Sequence, residues 1–329
     1  MDALVPSGLS ITLFIQGLGA WLEAPMKFFS FLGSEEFFLL VLPVVYWAIS
    51  ADLGMRIGFI LLFTGGLNNA FKLFFHGPRP YWVSTQVSSY AAETSFGVPS
   101  GHAQNAVGVW GIAAHWLQRT WAWAAALFVI FAIGFSRMYL GVHFLHDVLM
   151  GWLIGAVVLW GFIRYWDAAA NWLKSLSLTG QVGVALGVSL GLVWLSWLGI
   201  VSWGSWTIPD AWFANANAAF PDDPINPGSL NGALTPAGAL FGLAAGVAWI
   251  RTRGGFDTGG PPWKRVVRYL VGLVGVLVIY VGLGAVFPRG DDFLPYLLRF
   301  VRYALIGLWI AALAPMLFIR LKLADKGKG

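Results

Sequence analysis

The chain has 329 residues, of which 58% are hydrophobic and only 11% charged, against roughly 25% charged in an average soluble domain. Its net charge of +5 is spread over short polar stretches rather than gathered in a basic block, which argues against a nucleic-acid partner and for a membrane surface. Cysteine is absent, so disulfides and thiolate metal sites are excluded.

The first 36 residues mix Phe, Leu and Trp with Glu23 and Lys27, and residues 8–34 read as a helix lying in the membrane interface. Asp2 stands where a signal peptide would carry positive charge, so no cleavable targeting segment is expected. Apolar blocks near the ~20 residues needed to cross a bilayer follow at 37–50, 56–74, 102–118, 121–141, 147–166, 181–203, 235–251, 267–288 and 299–319. The expected fold class is all-α, a polytopic helical membrane protein of about nine spans. Its parts are an interfacial segment at 1–36, a helical-bundle core at 37–166 and a further transmembrane region of unassigned role at 167–329.

Lys and Arg in short loops gather on the cytoplasmic side. Arg320, Lys322, Lys326 and Lys328 follow the last span, and Arg251, Arg253, Lys264, Arg265 and Arg268 lie two crossings earlier. Alternation adds Arg164, Lys174, Arg119 and Arg56 to the inside and gives an N-out, C-in orientation. Lys27, Lys72, Arg79, Arg137, Arg289, Arg299 and Arg302 are left outside, with the loop around Asp210, Asp222 and Asp223.

Three polar clusters then fall at span ends on the outward side. They are FKLFFHGPRP with Lys72, Arg79 and Pro80, VPSGHA with Pro99, Ser100, Gly101 and His102, and SRMYLGVHFLHD with Ser136, Arg137, His143 and Asp147. Lys72, Arg79 and Arg137 are three cations converging on one membrane face, where an unpaired charge is expensive, so they call for an anion. Two Arg forks and a Lys point charge suit phosphate oxygens. Ser100, Gly101 and His102 open a helix, whose first N–H groups are unpaired and partly positive and can complete such a cradle. His143 and Asp147 are four residues apart, so on one helical face the carboxylate can take the imidazole Nδ1–H and leave Nε2 free as a nucleophile. His102 is then placed to protonate a leaving oxygen and later to activate water. One motif carboxylate among three cations is the reverse of a carboxylate-rich metal site, so neither a metal nor a cofactor is expected.

The patterns KxxxxxxRP, PSGH and SRxxxxxHxxxD resemble, in order and at every specified position, the three signatures of the type 2 phosphatidic acid phosphatase and vanadium haloperoxidase superfamily. The resemblance covers about residues 37–166. It implies that His143 attacks phosphorus, that His102 is the general acid/base, that Asp147 orients His143, and that Lys72, Arg79, Ser100, Gly101 and Arg137 hold the phosphate. RPYW at Arg79–Trp82 and PSGHA look like the glucose-6-phosphatase branch, whereas Asp147 looks like the lipid phosphatases. An integral multi-pass protein of a bacterial cytoplasmic membrane is expected, and the charge alternation puts its site on the extracytoplasmic side.

The leading expectation is a metal-independent phosphohydrolase acting on a lipid phosphate or polyprenyl pyrophosphate. A sugar-phosphate phosphatase, a phosphotransferase of the same superfamily, and an anion or lipid transporter are the alternatives. Of the remaining polar residues, His76, His115 and His146 read as packing or hydrogen-bonding groups, Asn68 and Asn69 as supports of the cradle, and Glu93 as a surface residue of an interfacial loop.

Overall fold

Among the described residues, apolar runs punctuated by Gly and Pro fold into fifteen α-helical segments. The computed structural model describes residues 5–327, so Asp2 and Lys328 lie outside the described residues. In chain order the helices are α1 (Val5–Gln16), α2 (Glu23–Phe31), α3 (Glu35–Val44), α4 (Ala51–Phe75), α5 (Pro80–Val83), α6 (Gly101–Leu117), α7 (Thr120–Tyr139), α8 (Leu145–Ser175), α9 (Leu178–Val201) and α10 (Asp210–Ala219). They continue with α11 (Asn231–Thr252), α12 (Pro262–Leu277), α13 (Gly284–Val286), α14 (Phe293–Leu308) and α15 (Ala314–Arg320). Short π segments extend α3 over Val45–Ile49, link α12 to α13 over Val278–Leu283 and join α14 to α15 over Trp309–Leu313. Among the described residues no strand forms beyond one isolated bridge between Phe256 and Lys326.

Among the described residues, seven helical stretches are long and apolar enough to cross a membrane, or eight if α1 and α2, bent by 87°, form one broken span. The chain is thus an all-helical, multi-pass membrane protein, and seven of the nine spans expected from the sequence meet that test. The two that fall short are the blocks at 37–50 and 102–118. In the first, α3 is 10 residues long with Pro43 inside it, and the π turn after it ends where Ser50 becomes extended. In the second, α6 has 17 residues before Gln118 takes a left-handed conformation. At ~1.5 Å per residue that is ~25 Å, at the lower end of the ~17–25 residues that a crossing helix uses. Apolar content alone did not reveal these breaks.

The chain divides into two compact units. One contains the residues up to Phe37, Leu67–Trp160 and Leu195–Ser229. In it α7 packs against α2 and α6, and Trp82, Phe96, Trp203, Trp206 and Trp212 form an aromatic cluster. Leu127, Phe128 and Phe131 on α7, with Leu153, Val157 and Trp160 on α8, remain exposed, as lipid-facing residues should. The other unit contains Phe38–Gly66, Gly161–Trp194 and the residues from Leu230 on. It is built on the close pairing of α11 with α14, and Tyr46 Oη and Trp47 Nε1 donate to the carbonyls of Ala311 and Ile310 at 3.0 and 2.8 Å. Those are carbonyls of a π segment, where the regular helical bonding is altered.

Candidate active site

Every site residue expected from the sequence lies in the first unit. Lys72 ends α4, which stops at Phe75 before His76, Gly77 and Pro78, where the proline disfavours further helix. Arg79 precedes Pro80 at the start of α5, and Ser100, Gly101 and His102 stand at the start of α6. Arg137 lies in the last turn of α7, His143 in the turn after it, and Asp147 in the first turn of α8. Lys72, Arg79, Ser100, Arg137, His143 and Asp147 are all buried, so each charge among them must find a partner.

Asp147 Oδ2 lies 3.2 Å from His143 Nδ1 and accepts from the Phe144 N–H at 2.9 Å. The carboxylate is held at two points and fixes the ring. His143 Nε2 stands 3.3 Å from Arg79 Nη1. A guanidinium nitrogen can only donate, so Nε2 is the acceptor and the proton belongs on Nδ1, against Asp147. Burial, reinforced by Arg79, Arg137 and Lys72, pushes the imidazole pKa well below its ordinary value and keeps His143 neutral. A neutral ring with a free Nε2 is the form a nucleophile needs.

The cations are organised by two residues that carry no motif. Arg79 donates through Nε to Ser95 O at 2.6 Å, through Nη1 to Val142 O at 3.0 Å, and through Nη2 to Glu93 Oε2 at 3.1 Å and Phe96 O at 3.1 Å. Arg137 donates through Nη1 to Ser30 Oγ at 2.6 Å and through Nη2 to the other oxygen of Glu93. Lys72 Nζ donates to Ser95 Oγ at 2.8 Å, and Arg79 Nη2 reaches the same hydroxyl at 3.2 Å. Glu93, expected on the surface of its loop, is half-buried and bridges the two guanidiniums. Burial alone would raise its pKa, but Arg79, Arg137 and Lys72 outweigh burial and hold it well below the usual carboxylate range. The signal that could have found it is charge balance, since three buried cations with a single motif carboxylate leave a counter-ion unaccounted for.

At the start of α6 the Ser100 N–H donates to Asp147 O at 2.9 Å, and Ser100 Oγ caps the Ala103 N–H at 3.5 Å. The Gly101 and His102 N–H groups are then the donors left at this helix start. Asn68 supports the turn, donating to Pro99 O at 3.2 Å and to Gln104 Oε1 at 2.8 Å. Gly151 and Gly155 let α8 approach closely, because a Cβ at either would stand 2.6 Å from Ser100 O or 2.7 Å from Gln104 O. That contact brings the PSGH turn up against the helix carrying Asp147. His102 lies within the electrostatic reach of Arg137, Glu93, Lys72 and Arg79. His146 Nε2 is 3.1 Å from Asp147 Oδ1, and His76 packs on Trp206 with ring centroids 4.4 Å apart.

Residues 53–171 match the profile of the PAP2 superfamily, and residues 234–326 match the one described as PAP2 superfamily phosphatase, transmembrane extension. The chain belongs to the PAP2 superfamily of phosphatases. The first match carries all the motif residues and the second accounts for much of the region to which the sequence assigned no role. Among PAP2 relatives, human glucose-6-phosphatase 3 is 31% identical over 49% of this chain and 53% of its own length. The chain thus spans about half the length of that relative. Human glucose-6-phosphatase 2 is 23% identical over 96% of both chains. Dihydrosphingosine 1-phosphate phosphatase YSR3 of Saccharomyces cerevisiae is 30% identical over 43% of this chain and 37% of its own. Of solved structures, the transmembrane PAP2 type phosphatidylglycerolphosphate phosphatase of Bacillus subtilis superposes with a TM-score of 0.45 at 23% identity, covering 51% of this chain and 88% of that one.

Proposed function

We propose that this chain is a membrane phosphohydrolase that moves a phosphoryl group from a phosphorylated amphiphile to His143 and then to water. One observation carries the reading: His143 Nε2 stands 3.3 Å from the Arg79 guanidinium, which can only donate to it, while its Nδ1 lies 3.2 Å from Asp147. In the first step Nε2 attacks phosphorus, the P–O bond to the leaving group breaks, and His102 gives that oxygen a proton. In the second, His102 takes a proton from water as its oxygen attacks phosphorus. The P–N bond breaks, and inorganic phosphate and free imidazole result. Lys72, Arg79 and Arg137, with the N–H groups of Gly101 and His102, hold the non-bridging oxygens, so fixed cations supply the charge that a metal would otherwise bring. The core at 37–166 would carry this chemistry on the extracytoplasmic side.

A lipid phosphate is the first substrate class. Phe14, Trp21 and Phe28 lie exposed on the α1–α2 segment of the same unit and offer apolar surface to an acyl or sphingoid chain. The similarity to dihydrosphingosine 1-phosphate phosphatase YSR3 supports the same reading. A sugar phosphate is the second class, favoured by the likeness to glucose-6-phosphatase 2 along nearly the whole of both chains. The test is phosphate release from phosphatidate, polyprenyl pyrophosphate, sphingosine phosphate and glucose 6-phosphate in excess EDTA, with and without vanadate. Metal-independent, vanadate-sensitive release from an amphiphile is expected, and a kcat/KM highest for glucose 6-phosphate would establish the second reading. Activity lost to EDTA and restored by Mg²⁺ would contradict both.

A further inference from the structure

Of the basic residues that the charge alternation leaves on the outward side, Lys72, Arg79 and Arg137 belong to the phosphoryl site, and Lys27 is neutralised by Glu23 at 2.6 Å. Arg289, Arg299 and Arg302 remain. In the second unit these three line one cavity of about 670 Å³, at the turn from α13 into α14. No Asp or Glu lines it; the neighbouring Asp291 accepts from the lining Asn231 at 3.3 Å and from Tyr296 at 3.1 Å, and among the described residues no ion pair joins a carboxylate to any of the three arginines.

Arg299 and Arg302 are held, but not by counter-charges. The Arg302 guanidinium lies over the rings of Tyr280 and Tyr303, at 5.5 and 5.0 Å from their centroids, and Arg299 lies 6.0 Å over Tyr303. Arg299 Nη1 donates to Thr235 Oγ1 at 3.0 Å. Arg302 Nε is buried without a hydrogen-bond partner, an unmet donor on a charged group. Gly284 makes the room for this side chain, because a Cβ there would stand 2.6 Å from Arg302 Nη1. Tyr280 comes from the π segment Val278–Leu283, and π segments inside helices often mark functional sites. Val281, Val286 and Phe293 nearby are exposed apolar residues, which puts the cavity beside lipid-facing surface.

Guanidiniums fixed by aromatic faces and left without carboxylates suit a bidentate oxyanion. We propose that this cavity is a second anion site, distinct in every residue from the His143 site, and that it takes a phosphate-bearing group. A bare phosphate ion would leave most of the volume unfilled, whereas a glycerophosphate head group with its first acyl carbons falls in the size range of ligand pockets, ~300–1,000 Å³. The shared chemistry is phosphate; the source is either an acidic phospholipid or a free phosphate ion.

Thermal melting of the full chain in neutral detergent separates these, with short-chain phosphatidylglycerol in one arm and inorganic phosphate in the other. Phosphatidylglycerol should raise the melting temperature by several degrees in the wild type and equally in Lys72→Ala, which leaves this cavity intact. In Arg302→Gln the binding should weaken by at least ~10-fold. Because Arg302 is partly buried, Gly284→Ala and the exposed Arg289→Gln are measured beside it, the first crowding the guanidinium and the second removing a rim charge. A rise with inorganic phosphate as large as that with the lipid, and lost in the same variants, would assign the cavity to a free phosphate group. No rise with either compound, or a rise undiminished in every variant that folds, would overturn the proposal.

Discussion

Glu93 Oε2 accepts from Arg79 Nη2 at 3.1 Å, while its other oxygen accepts from Arg137, so one carboxylate closes the gap between the two guanidiniums that the phosphoryl chemistry needs. It stands where negative charge is most favoured, in the site proposed to hold a phosphate. An incoming phosphoryl group must share these arginines with Glu93 or replace it. In the free protein Glu93 therefore serves as the counter-ion that makes burying Arg79 and Arg137 possible.

Glu93→Gln follows directly from this. Removing the charge leaves two buried guanidiniums without their counter-ion and should cost about 3 kcal/mol of folding stability in the absence of ligand. Vanadate or phosphate should restore most of that loss, and their inhibition constants should fall several-fold, because a repelling carboxylate is gone. The folded pKa of Glu93 is depressed from its ordinary 4.5, so its contribution is fully present above that pH and fades as pH falls through the folded value. The stability gap between wild type and Glu93→Gln should therefore hold from neutrality to about pH 5 and narrow in stronger acid. Denaturant melts of both proteins with and without vanadate check this, and a gap that vanadate leaves unchanged would refute the counter-ion role.

Asp147 and Arg137 should divide the kinetic parameters differently. Asp147→Asn disturbs the His143 tautomer and not the cations, so kcat should fall at least ~100-fold with KM within about threefold. Arg137→Ala removes a charge that acts on bound substrate and transition state alike, so kcat should fall and KM rise together. Steady-state kinetics at several pH values would expose the reverse pattern.

The orientation is tested in this cysteine-free chain by single cysteines at exposed positions. Thr85→Cys, in the loop between the first two motifs, should react with an impermeant thiol reagent on intact cells. Arg253→Cys, in the basic loop after α11, should react only after permeabilisation. Labelling in the opposite order would move the phosphoryl site to the cytoplasmic face.

The motif residues were legible in the sequence because each is costly in an apolar setting, and because the spacing of His143 and Asp147 alone predicts a shared helical face. They do pair at 3.2 Å, but not on one helical face: His143 lies in the turn before α8, and Asp147 in the first turn of that helix reaches back to it and to the Phe144 N–H. Glu93, Ser95 and Ser30 were not legible. The roles of Glu93 and Ser95 depend on the loop before α6 folding back, pinned by the Gly97 N–H on Gly77 O at 2.9 Å and the Ser100 N–H on Asp147 O at 2.9 Å, and that of Ser30 on α2 packing against α7; no periodicity records such contacts. Two of the nine expected spans fall below the length of the others for a related reason. The break after α3 comes from Pro43 and a π turn, and α6 ends at Gln118, neither of which changes the apolar content that defines a block. Arg289, Arg299 and Arg302 were visible as exceptions to the charge rule, but only the structure shows that they share a cavity.

The central claim is that His143 carries the phosphoryl group, and acid-quench trapping with substrate labelled at phosphorus tests it most directly. The label should appear on His143 in the wild type and vanish in His143→Ala. With p-nitrophenyl phosphate it should persist in part in His102→Ala, because so good a leaving group needs little acid assistance. Label found on His102, or trapping undiminished in His143→Ala, would contradict the account.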